Sequence, residues 1–141
     1  MVQKKQILKN LKQRGHRITK VRSAMLDVFE NAKKPLLAAE ISASLKGKGI
    51  YANKTTVYRQ IDFLKEERVI KEIDFGDLQR RYELAGTDHH HHAVCVYCGD
   101  VEEVELSGDL KSQEKKISQD YKFKVLHHKL EFFGICRKCN N

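Results

Sequence analysis

The four cysteines of this 141-residue chain stand as two C-x2-C pairs, Cys95/Cys98 and Cys136/Cys139, with 37 residues between the pairs. A two-residue spacer makes a knuckle that sets two thiolates one tetrahedron edge apart. Two knuckles fill the four-sulfur shell that structural zinc takes. Cys95, Cys98, Cys136 and Cys139 are therefore expected to hold Zn2+, which would add folding free energy to a small domain. A disulfide or a redox pair is the rival use. The N-terminus has basic residues but no apolar h-region, so the expected location is cytoplasmic, where reducing conditions favour metal over disulfide.

A second constellation is Glu83, His89, His90, His91, His92 and Glu103, with His127 and His128 further on. In an extended segment alternate side chains point to opposite faces. His90 and His92 are thus expected to serve one site, and His89 and His91 another. Mixed histidine and carboxylate ligation suits Fe2+, Mn2+, Co2+ or Zn2+ held exchangeably. The expected division of labour is that the thiolates staple and the histidines sense. The rival is a surface histidine run with no ligand role.

Stepping outward from these residues, the net charge of +8 is unevenly spread. Residues 1–84 hold 19 Lys/Arg against 10 Asp/Glu, and residues 85–141 hold 8 against 9. An N-terminal unit that meets a polyanion is expected, followed by a unit with another task. Apolar spacing predicts helices over residues 3–14, from an N-cap at Thr19 through Phe29, from Ala38 to Gly49 after the break at Pro35, and over 53–68. VIKEIDF and RRYEL around Gly76-Asp77 predict a hairpin. Three helices, a fourth helix and a hairpin make a winged helix-turn-helix, whose fourth helix enters the major groove. Its outward Lys54, Thr55, Thr56, Tyr58, Arg59 and Gln60 offer phosphate and base-edge donors. In the second half, 93–106 and 121–136 read as strands and 109–120 as a helix. The expected class is α+β: a winged-helix DNA-binding domain over 1–84, then a small α/β metal-binding dimerisation domain over 85–141. No H-E-x-x-H or nucleophile motif is present, so neither an enzyme nor a small-molecule substrate is expected. No run approaches a membrane span.

The segments TTVYRQIDFLKEERVIKE, YEL, HHHHAVCVYCG and HHKLEFFGICRKC, in that order, resemble the ferric uptake regulator family of bacterial metalloregulators. The likeness runs from GHRIT at 15–19 to Cys139. It implies a homodimeric, metal-dependent repressor of double-stranded operator DNA with an N-terminal winged helix. By the same likeness the four cysteines match the structural zinc site. Glu83, His90, His92 and Glu103 match the regulatory site between the domains, and His89, His91 and His128 match a further site. Tyr58 and Arg59 match DNA-contacting residues of the recognition helix, and Arg17 matches a basic residue that enters the minor groove.

Two positions depart from the family pattern. Pro35 stands where iron- and peroxide-sensing members carry a ligand histidine, leaving His16, Glu72 or closure with four ligands as alternatives. Lys111 stands where the further site has a glutamate, with Asp109 or Glu114 as stand-ins. The leading expectation is a metal-activated repressor controlling iron or a related metal, with Fe2+, Mn2+ or Zn2+ as the regulatory ion. A zinc-uptake regulator, a peroxide sensor (whose members favour aspartate at the position of Glu83) and a metal buffer are the alternatives.

Overall fold

The computed structural model describes residues 2–86, 90–108 and 110–141. The chain divides into two compact units, residues 1–87 and 88–141.

In the first unit, helices α1 (Val2–Gln13), α2 (Lys20–Asn31), α3 (Ala38–Gly47) and α4 (Lys54–Glu66) precede strands β2 (Ile70–Asp74) and β3 (Arg80–Leu84). A short strand β1 (Leu36–Leu37), which the sequence pattern did not reveal, lies between α2 and α3 and completes a sheet of order β1-β3-β2. Leu36 pairs with Tyr82, and Ile70 with Leu84, all antiparallel. The helix starts follow capping chemistry. Thr19 accepts a hydrogen bond from the Arg22 backbone N–H at 3.1 Å, and Asn53 Oδ1 accepts one from Thr56 at 2.8 Å. Each satisfies a donor that the first helical turn leaves without an intrahelical partner.

The apolar positions of α4 recur at helical spacing, so Val57, Ile61 and Leu64 turn inward and are buried. They meet Met25, Leu26 and Phe29 of α2, Ile41 and Leu45 of α3, and Ile70, Tyr82 and Leu84 of the sheet in one core. The opposite face of α4 stays in solvent. The hairpin turns at Gly76, which has φ +79° and donates its N–H to Asp74 Oδ1 at 2.7 Å. A winged helix-turn-helix results, as the periodicity predicted.

In the second unit β4 (His91–Cys95) is the central strand, antiparallel to β5 (Val101–Val104) and parallel to β6 (Glu131–Gly134), with α5 (Lys111–Asp120) between β5 and β6. The strand expected over 121–136 is paired only at β6; residues 121–130 precede it without strand pairing. Their alternating apolar pattern signals β-propensity, but a strand also needs a neighbour, which the pattern cannot supply.

Ile61→Ala is expected to lower the stability of the first unit by about 2–5 kcal/mol through the cavity it leaves. Asp62→Ala, on the exposed face of the same helix, should change it by about 0.5 kcal/mol or less. Thermal denaturation of the two variants measures the contrast.

Candidate metal centres and nucleic-acid face

Cys95 ends β4, and the tight turn after it brings Cys98 back beneath the strand. The Gly99 N–H donates to the Cys95 carbonyl at 2.9 Å. Cys136 follows β6, and the Cys139 N–H donates to the Cys136 carbonyl at 3.1 Å. Parallel pairing of β4 with β6, Cys95 opposite Gly134, lays the two knuckles side by side. All four sulfurs fall within 4.8 Å of one another, and Cys98 Sγ is 3.7 Å from Cys136 Sγ. A zinc tetrahedron with metal–sulfur bonds near 2.3 Å has an edge of about 3.8 Å. None of the four is in a disulfide. The cluster is consistent with structural zinc.

Its electrostatics point the same way. Backbone N–H groups of Cys98 and Cys136 that face the Cys95 sulfur lower its pKa to about 6; the Cys136 N–H donates to it at 3.4 Å. The Cys139 thiol is pushed up to about 12 by the thiol of Cys136 and then by its own desolvation. The shifts run in opposite directions: Cys95 is made the readier thiolate and Cys139 the more reluctant one.

The histidines divide as the alternation of a strand requires. His92 sits opposite Glu103 across the β4–β5 pair, and directly opposed residues share a face. His90 precedes His92 by two, and their rings meet edge to face with centroids 4.6 Å apart. His90, His92 and Glu103 therefore lie on one side of the sheet. His91 takes the other side, where it is buried and its Nδ1 lies 3.2 Å from the Leu130 carbonyl. Donation from Nδ1 to that carbonyl presents Nε2 to a ligand, the arrangement common among metal-binding histidines. The His128 ring stacks on His91 at 5.7 Å, and its Nδ1 is 2.5 Å from Glu114 Oε1.

Of the two stand-ins for the glutamate at position 111, Glu114 thus joins the His91/His128 face. Its signal in the sequence is the three-residue spacing from Lys111, which puts both on one side of α5. His89 and Asp109 lie outside the described residues. Glu83 lies on β3 opposite Lys71, whose Nζ is 3.3 Å from its carboxylate. The proposed replacements near Pro35 have other partners: His16 Nε2 is 2.9 Å from Glu67, and Glu72 meets Lys65 at 3.3 Å.

On the first unit, Lys54, Thr55, Tyr58 and Arg59 are exposed on α4, as is Arg17 in the α1–α2 turn. Thr56 is half-buried, its backbone N–H held by Asn53. The Lys54 ammonium lies 6.0 Å from the Tyr58 ring.

A winged helix with a polar outer recognition face, together with a separate four-thiolate cluster and a two-faced histidine strand, defines a metal-binding, DNA-binding protein. The model of the ferric uptake regulator family matches residues 13–133, and the chain belongs to that family. It is 39% identical to the ferric uptake regulation protein of Bacillus subtilis, over 95% of this chain and 92% of that one. It is 34% identical to the peroxide operon regulator of the same organism, over 96% and 92%. Among solved structures, the Helicobacter pylori ferric uptake regulator, with three functional metal-binding sites, superposes with a TM-score of 0.83 at 25% identity, covering 99% of this chain and 93% of that one. The chain is a metal-responsive transcription regulator, and the proteins of this family are not enzymes. Among the described residues no helix is long and apolar enough to cross a membrane.

Metal must displace the proton of each thiol it binds. Zinc affinity is therefore expected to rise with pH from about 6, where Cys95 ionises, toward about 12, where Cys139 does. Competition titrations with a chromophoric chelator across that range check the sign, and calorimetry in two buffers should register released protons.

Proposed function

We propose that the chain is a metal-activated repressor that binds a palindromic operator as a homodimer and controls iron or a related metal. The observation that carries this reading is the division of β4. His90, His92 and Glu103 share the face opposite His91 and the Glu114-paired His128. Two sets of nitrogen and oxygen donors beside a separate all-sulfur cluster suit exchangeable metal at the former and one permanent metal at the latter.

In the proposed mechanism Glu83 joins His90, His92 and Glu103. Only the six residues 84–89 lie between Glu83 and His90 in the chain, so one ion held by both would fix the first unit relative to the second. Two recognition helices held in this way by a dimer would match successive half-sites, with Lys54, Thr55 and Thr56 toward phosphate and Tyr58 and Arg59 toward bases. Metal and DNA affinity must then be coupled reciprocally, typically by about 1–3 kcal/mol. Fe2+ is the favoured regulatory ion, given the 39% identity to an iron regulator. Operator binding implies a cytoplasmic protein.

The second unit supports dimerisation. Phe132, Phe133 and Ile135 at β6, Leu126 and Phe123 before it, and Ile117 on α5 are all exposed, and α5 buries none of its side chains. Exposed apolar side chains in this number suit burial against a second copy of the same chain.

Gel shifts on a family-type operator are expected to show binding with Fe2+, Mn2+ or Zn2+ and release by chelator; affinity indifferent to all three ions removes the switch. Arg59→Ala should lose the operator while keeping its metals, whereas a metal buffer would be unaffected. Phe133→Asp is expected to shift the sedimentation coefficient toward that of a monomer.

A further inference from the structure

Arg22 stands in the first turn of α2, next to Lys20 and with no acidic residue in that turn. A cation there opposes the helix dipole, so its position is not explained by the stability of α2. Its guanidinium instead joins three partners. Nε donates to Gln60 Oε1 of α4 at 2.9 Å, one terminal nitrogen donates to the Arg17 carbonyl at 2.6 Å, and the guanidinium carbon lies 3.6 Å from the Phe63 ring centroid.

The same turn is tied twice more to Glu67, the residue that caps the C-terminus of α4. Arg14 meets Glu67 at 2.8 Å, and His16 meets it at 2.9 Å while presenting its ring edge to Phe63 at 4.9 Å. The turn that carries Arg17 is therefore held along one side of α4, and Arg22 grips the Arg17 backbone itself. Its other donor goes to Gln60, the immediate neighbour of Arg59.

We propose that Arg22 is a positioning residue that locks the Arg17 turn to the recognition helix, so that the major groove and the flanking minor groove are read at one fixed spacing. The proposal rests on the DNA-binding reading above. Arg17 stays exposed for the duplex, while its carbonyl is tied to the helix that carries Tyr58 and Arg59. A planar guanidinium lies flat on a ring face while its edge donates to an amide and a carbonyl; an ammonium has no plane to stack. A loose turn would let Arg17 reach phosphates but not a set position in the groove, which turns a base-step preference into a non-specific contact.

The test is a set of mutant cycles on the full-length manganese-loaded protein, with a duplex that the wild type enriches from a randomised pool. In the wild type, Arg17→Ala is expected to weaken binding about tenfold. In Arg22→Lys it should weaken binding by less than about twofold, because the coupling is already lost. Arg59→Ala should cost the same in both backgrounds. A full Arg17→Ala effect in Arg22→Lys overturns the proposal, and so does equal shrinkage of the Arg17 and Arg59 effects, which marks Arg22 as merely structural. If Arg22→Lys fails to fold by circular dichroism, Gln60→Met, which removes one acceptor, carries the same cycles. Failure of the wild type to enrich any duplex overturns the DNA-binding reading itself, a result distinct from an additive cycle.

Discussion

Strand β4 is paired on both edges, and its two-residue period imposes the layout of the second unit. Antiparallel β5 sets Glu103 opposite His92, and parallel β6 sets Gly134 opposite Cys95. The first pairing builds a mixed nitrogen and oxygen face. The second brings the knuckle of Cys95 and Cys98 to that of Cys136 and Cys139. A slip of one residue would exchange the faces of His91 and of the His90/His92 pair and separate the knuckles. The thiolate cluster and the register thus support each other: zinc between the knuckles would pin β6 to β4, and the pinned register keeps the histidines on their proper faces.

The two units divide the electrostatics as well as the metals. The first carries the chain's excess of positive charge and has a core large enough to hold α4 without a metal. The second leaves α5 and much of β6 uncovered, so its own side chains enclose little apolar volume. Such a unit gains from a staple and from a second copy, and the same features place its donors on a sheet rather than on a loop. Relatives described as regulators of iron and of peroxide response share this frame at similar identity.

Much of the fold was legible because its signals are local. The helix periods, the caps at Thr19 and Asn53 and the turn at Gly76 each act within a few residues. The histidine faces were legible too, since alternation follows from extended backbone alone. Strand β1 was hidden because two residues carry no period; Leu36 and Leu37 become a strand only by meeting Tyr82 and Arg81. Residues 121–130 failed in the opposite sense, with a strand-like pattern and no strand pairing in the chain.

Composition and spacing by themselves determined that four thiolates come in two knuckles, that histidines alternate beside them, and that a basic winged helix precedes both. These follow from chain geometry over short distances. Tertiary structure alone decided that Glu114 meets His128, that His16 meets Glu67, and that Arg22 reaches Gln60 and the Arg17 carbonyl. Such contacts join residues as far apart in the chain as His16 and Glu67. Their partners are chosen by how helices and strands pack, which no local pattern encodes.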